Sequence, residues 1–212
     1  MEGTRYEDPA NTGIVLGKGE DIRLTCSAQV FQRVRTTTAY HGGIVVGELE
    51  QMIGEDIGLI DPAVPLSDDF FSYDCTTKAL IRTSEIADDD IVCADSCFTG
   101  PQKKVFVGTR TGKRKLRYHS SSHPQYDVTL EQGIYTCSDP NPQKPPVVRM
   151  GMCGTPLVRI GNRRDKSVVP RGDVLGFFLW LDEKSFKGST LYSYAQPCDP
   201  LLDAGWEVAM VD

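Results

Sequence analysis

The 212-residue chain has no apolar run long enough to cross a bilayer. Its opening stretch, Met1-Glu2-Gly3-Thr4-Arg5-Tyr6-Glu7-Asp8, has no apolar centre, so no secretory leader is expected there. Glu2 rather than glycine follows Met1, which excludes the N-myristoylation signal. Positive charge is also short: 23 Lys and Arg face 29 Asp and Glu, a net charge of −6. That balance exerts no general pull on nucleic acid or on an anionic membrane. Internal repeats and low-complexity tracts are missing. The seven cysteines are an odd number, and without a leader they do not fit a secreted disulfide framework. Reduced thiols and an intracellular, cytoplasmic location are the expectation. A piece of a longer polyprotein would also carry no leader of its own, and that origin stays open.

What is present is a β pattern. Valine, isoleucine and threonine come in short runs separated by Gly, Pro, Asp and Asn, and few stretches carry helical periodicity. With 40% hydrophobic residues the chain can bury one large core or two small ones. Residues 1–12 read as an arm, 13–66 as a first, small β-barrel, 67–90 as a linker and 91–212 as a second β-barrel with a C-terminal helix. Strands are expected over 13–16, 21–31 and 34–40, and a short helix is conceivable over 76–82. Strands over 103–108 and 113–117 meet at a Thr111-Gly112 hairpin turn, and 126–130 and 133–137 are further strands. Asp199-Pro200 is a good helix start before Leu201, Leu202 and Trp206.

One octet organises the chemistry: Gly151-Met152-Cys153-Gly154-Thr155-Pro156-Leu157-Val158. Its skeleton is Gly-x-nucleophile-Gly-x-Pro. Gly151 lets the backbone turn so that its N–H and that of Cys153 can point into one small space, where two donors stabilise an oxyanion. Gly154 leaves room beside the sulfur, and Pro156 fixes the exit. The octet resembles the Gly-Asp-Ser-Gly-Gly-Pro stretch of chymotrypsin-like serine proteases. It is closer still to the Gly-x-Cys-Gly-x-Pro stretch of chymotrypsin-fold viral cysteine proteases of the picornavirus and potyvirus type. Thr36-Thr37-Thr38-Ala39-Tyr40-His41 resembles the Thr-Ala-Ala-His stretch that ends with the catalytic histidine of trypsin-like proteases. Asp56-Ile57-Gly58-Leu59-Ile60 resembles the Asp-Ile-Ala-Leu-Ile stretch that carries their aspartate, with Asp61 the nearest substitute.

The resemblance implies an all-β fold of two antiparallel chymotrypsin-type barrels and a cysteine endopeptidase. Cys153 would attack the scissile carbonyl, His41 would take the thiol proton and Asp56 would orient His41. The Gly151 and Cys153 N–H groups would form the oxyanion hole. Gly176-Phe177-Phe178-Leu179-Trp180 resembles the strand lining the specificity pocket of trypsin-like enzymes. In viral relatives that cut after glutamine, a histidine stands where Phe178 stands here, so an apolar preference is expected before the scissile bond. The implied partner is a polypeptide substrate, with no metal or cofactor. A protease-fold protein that kept the fold and lost the chemistry is the alternative reading, and a nucleic-acid-binding domain on the same fold is another.

Two other groupings are weaker. Cys93, Cys97, His119 and His123 are zinc-ligand types, but the intervening segment is long and Pro124 follows His123 at once. Lys103, Lys104, Arg110, Lys113, Arg114, Lys115 and Arg117 form a basic run, for which a solvated hairpin face is the plainer explanation than RNA binding.

Overall fold

A computed structural model describes residues 12–34, 36–41, 43–66, 77–96, 98–116, 126–138, 152–164, 172–182 and 190–209. Two β-sheets account for most of them. The first begins with β1 (Thr12–Lys18) and β2 (Asp21–Ser27), and continues through α1 (Ala28–Val34), β3 (Thr38–His41), β4 (Ile44–Ile53) and β5 (Ile57–Pro62). The second uses β6 (Ala79–Leu80), β7 (Asp90–Ser96), β8 (Gly100–Leu116), β9 (Tyr126–Ser138), β10 (Pro156–Asn162), β11 (Asp173–Leu181) and β12 (Tyr192–Pro197). A short helix, α2 (Asp199–Asp203), and a last strand, β13 (Glu207–Val208), follow.

The first sheet has the order β13-β1-β2-β5-β4-β3. The second runs β10-β7-β8-β9-β12-β11, and β10 also pairs with β11, which closes it into a ring. β6 adds to β11 in parallel. The two sheets meet over a shared core. Ile14, Leu16, Ile57 and Leu59 come from the first, and Val158, Val174 and Phe177 from the second, with Leu201 and Trp206 from the chain's last segment. Full burial of each such side chain is worth about 1.5–3 kcal/mol.

Several expectations change. The run 21–31 is not one strand: β2 stops at Ser27, and Ala28-Gln29-Val30-Phe31 turns into α1. The β-branched stretch before His41 is in strand only from Thr38. Thr111-Gly112 is not a hairpin turn. β8 runs unbroken for 17 residues against 13-residue β9, and register shifts near Gly108 and Gly112 absorb the glycines as bulges. Around 76–82 the described residues hold a short strand, and a single 3-10 turn (Thr83–Glu85) follows. α2 lies where expected, with Pro200 in its first turn. Asp199 serves another element, its carboxylate accepting from the Thr83 N–H at 3.0 Å and from the Thr83 hydroxyl. β13, read from sequence as part of the second barrel's tail, pairs with β1 of the first sheet.

Candidate active site

The nucleophile turn is built from both its ends. Thr155 N–H and Oγ1 both donate to the Met152 carbonyl, at 3.1 and 2.6 Å. Gly154 N–H donates to Phe178 O at 2.9 Å, and Phe178 N–H to Thr155 O at 2.7 Å, which ties the turn to β11. Gly154 has φ of 87°, a conformation that favours glycine and explains the residue after Cys153. Cys153 is half-buried, and its thiol donates to Leu179 O at 3.0 Å. Gly151, the other expected oxyanion donor, lies outside the described residues, as do His119, His123 and Cys97.

The acid sits across the junction. Asp56 is 3% exposed, in the turn between β4 and β5. Its carboxylate accepts from Ser27 Oγ at 3.0 and 2.8 Å, one bond to each oxygen, and Oδ1 accepts from Gln29 N–H at 2.7 Å. The turn itself is held by the other sheet. Gln196 Oε1 on β12 accepts from the N–H groups of Glu55 (3.0 Å) and Asp56 (2.6 Å), and its Nε2 donates to Ile53 O at 3.0 Å. Gln196 is also the register partner of Phe177 on β11. The turn carrying Asp56 and the turn carrying Cys153 are thus anchored to adjacent positions of two paired strands, Gln196 on β12 and Phe178 on β11. At the same junction a Cβ on Gly13 would collide with Thr25 Oγ1 and stand 3.2 Å from Gly154 O and from the Phe177 ring, so glycine lets β1 approach this closely.

His41 does not join them. It ends β3, the edge strand, opposite Ile44 at the start of β4. Asp56 follows Ile53 at the other end of the same ten-residue strand. At about 3.3 Å per residue, roughly 30 Å of strand separates the two positions. The Thr-Ala-Ala-His likeness of residues 38–41 therefore misled. The segment that passes the buried carboxylate is Ser27-Ala28-Gln29, at the step from β2 into α1. Gln29 is 3% exposed, and its Nε2 makes no hydrogen bond among the described residues. An unmet buried amide group costs about 1–3 kcal/mol, so its retention needs an explanation. The sequence signal for it was available: a β-to-polar run, Leu24-Thr25-Cys26-Ser27-Ala28-Gln29, upstream of Asp56. Asp61 is not at the site; on the outer face of β5 it pairs with Arg23 at 3.2 Å.

The alternation of β11 separates its two phenylalanines. Phe177 faces the core between the sheets, whereas Phe178 turns into the second ring, its centroid 5.5 Å from Lys104 Nζ. Gly176 is needed where a Cβ would collide with Gln196 O. Burial pushes the Cys26 thiol, which donates to Gly58 O at 3.6 Å, well above the ordinary thiol range, and Asp56 adds to the shift. Burial does the same to Cys198, with Asp199 adding. Neither is a nucleophile. Among the described residues no cluster of His, Cys, Asp and Glu could hold a metal ion, and no helix is long and apolar enough to cross a membrane.

Solved structures define the fold. A glutamic acid-specific serine protease, described as using a histidine triad in substrate binding, superposes with a TM-score of 0.61 at 13% identity. The match covers 94% of this chain and 93% of that one. Nocardiopsis protease gives 0.59 at 11% identity, over 95% and 93% of the two chains. Thermobifida fusca protease A gives 0.56 at 15%, over 95% and 91%. No protein-family profile matches the chain, and no curated protein does. The fold is that of two antiparallel β-barrels of the chymotrypsin type with a short C-terminal helix. These solved structures are chymotrypsin-fold serine proteases, whereas this chain carries Cys153 where the sequence resemblance leads one to expect the nucleophile.

Proposed function

We propose that the chain binds an extended polypeptide segment against β11, beside Cys153, and does not hydrolyse it. One observation carries this reading: the described residue whose backbone N–H holds the buried Asp56 carboxylate, and whose own side chain is buried beside that step of the chain, is Gln29. A glutamine amide has no titratable nitrogen and cannot take a thiol proton or return one to a leaving amine. Cys153 also donates its S–H to the Leu179 carbonyl at 3.0 Å. The peptidase scaffold supports a polypeptide as the bound species. Five described cysteines carry free thiols, which supports a reducing, cytoplasmic setting.

The hydrolytic reading retains one favourable observation, a half-exposed Cys153 in a tight Gly154 turn beside a junction that also holds a buried acid. On that reading Cys153 forms a thioester, Gly151 and Cys153 N–H groups hold the oxyanion, and Gly176–Trp180 line the pocket. Asp56 orients an imidazole supplied from elsewhere in the chain. Incubation with a pooled fluorogenic peptide library separates the two. Turnover no higher than that of Cys153→Ala is expected, and Cys153-dependent cleavage would overturn the binding-only reading.

A further inference from the structure

Lys104 on β8 is fully buried inside the second ring of strands. Its ammonium donates to Ser193 Oγ on β12 at 3.1 Å, and Ser193 Oγ in turn lies 2.8 Å from Thr136 Oγ1 on β9. Its third neighbour is the face of Phe178. Arg159, a second deeply buried cation among the described residues, lies between Asp90 (3.0 Å) and Asp173 (3.1 Å), with negative charge on both sides. Lys104 has a hydroxyl and a ring where Arg159 has two carboxylates. Among the described residues no carboxylate pairs with Lys104; a buried cation without one is expensive, and such groups cluster at functional sites. Burial lowers its pKa to about 8, with Cys137 nearby opposing the shift, so the charge persists at neutral pH.

Its location gives the charge a use. Phe178 is the residue whose N–H and C=O bracket the Cys153 turn, so Lys104 lies one side chain behind the strand that faces the nucleophile position. An aromatic ring has a negative face and a positive edge. With the ammonium over its face, the Phe178 ring presents its positive edge elsewhere, and both favour an anion beside it. We propose that Lys104 makes the pocket at β11 select an acidic side chain of the bound polypeptide. Its carboxylate lodges beside Phe178 and supplies the negative charge that the fold withholds from Lys104. This replaces the apolar preference expected from Phe178 alone. It rests on the polypeptide-binding reading above.

Fluorescein-labelled pentapeptide amides that differ only in the last residue, Glu, Gln or Leu, test it by anisotropy at neutral pH and fixed salt. The Glu peptide should bind at least ten-fold more tightly than its Gln isostere. Lys104→Met, which keeps the stem and removes the charge, should bring the two within two-fold. Lys103→Met, at the exposed neighbouring position, should leave the ratio as it was. Equal binding of Glu and Gln peptides by the wild-type chain overturns this inference alone, as does a Glu preference that survives in Lys104→Met. Failure of all three peptides to bind overturns the polypeptide-binding reading and this one with it.

Discussion

The Gln29 backbone N–H donates to Oδ1 of Asp56 at 2.7 Å, so the carboxylate is held by the very residue whose side chain cannot do acid–base work. A histidine at this position would keep the backbone bond and add an imidazole beside the acid. Gln29→His should therefore install Cys153-dependent cleavage of fluorogenic peptides. A positioned base contributes about 10²–10⁴-fold, so a gain of at least about 100-fold over the Gln29→His/Cys153→Ala double variant is expected. Adding His41→Ala should leave that gain unchanged, because His41 stands at the far end of β4.

Asp56→Asn replaces an acceptor-only group by one that must present an NH₂ to Ser27 or Gln29. A loss of about 1–3 kcal/mol in urea unfolding is expected, the cost of buried donors left unmet. Asp61→Asn, whose partner Arg23 also bonds Glu50 at 2.5 Å, should shift stability by no more than about 1 kcal/mol.

Lys104 gives stability a pH dependence with a definite sign. Its folded pKa, about 8, is below the usual 10.5. Below pH 8 both folded and unfolded chains hold the proton, and the fold bears the full cost of the buried charge. Between about 8 and 10.5 the unfolded chain binds more protons, so stability rises with pH by up to roughly 3 kcal/mol. Burial holds Tyr135 and Tyr194 protonated beyond the usual range, which opposes the trend at its upper end. The difference between wild type and Lys104→Met, measured from pH 7.5 to 9.5, isolates the lysine. A difference that does not narrow as pH rises would contradict the assignment.

Iodoacetamide should modify Cys153 at least about ten-fold faster than Cys26 or Cys198, whose thiols are buried and shifted upward. Peptide mapping after timed quenching reads the order directly. Labelling of Cys26 or Cys198 at the rate of Cys153 would count against the packing described here.

The two-barrel fold was legible because its signals are local: short β-branched runs, punctuating glycines and the octet around Cys153. The octet was read at its own position, on the strand-to-strand turn before β10. Asp56 was legible for the same reason, as a short motif at the start of a buried strand. Gln29 was not, because a glutamine at the step from β2 into α1 matches no catalytic motif, whereas His41 ends a stretch that resembles one. What excludes His41 is register, the pairing of β3 with the opposite end of β4, and no local pattern carries that. Lys104 was read as part of a solvated basic face. On an exposed hairpin that would hold, but its alternation on β8 puts it on the same face as the buried Phe106.

The pairing of β13 with β1 sets a timing constraint on biosynthesis. β1 is complete at Lys18, yet its outer edge meets Glu207 and Val208 only after the residues between them have been made. At about 5–20 residues per second, those intervening residues take roughly 10–40 s to emerge. For that interval the nascent first barrel carries an unpaired apolar strand, Gly13-Ile14-Val15-Leu16, with an open hydrogen-bonding edge. The hazard of mispairing with another nascent chain is therefore greatest before β13 is made, and it falls away once that strand docks.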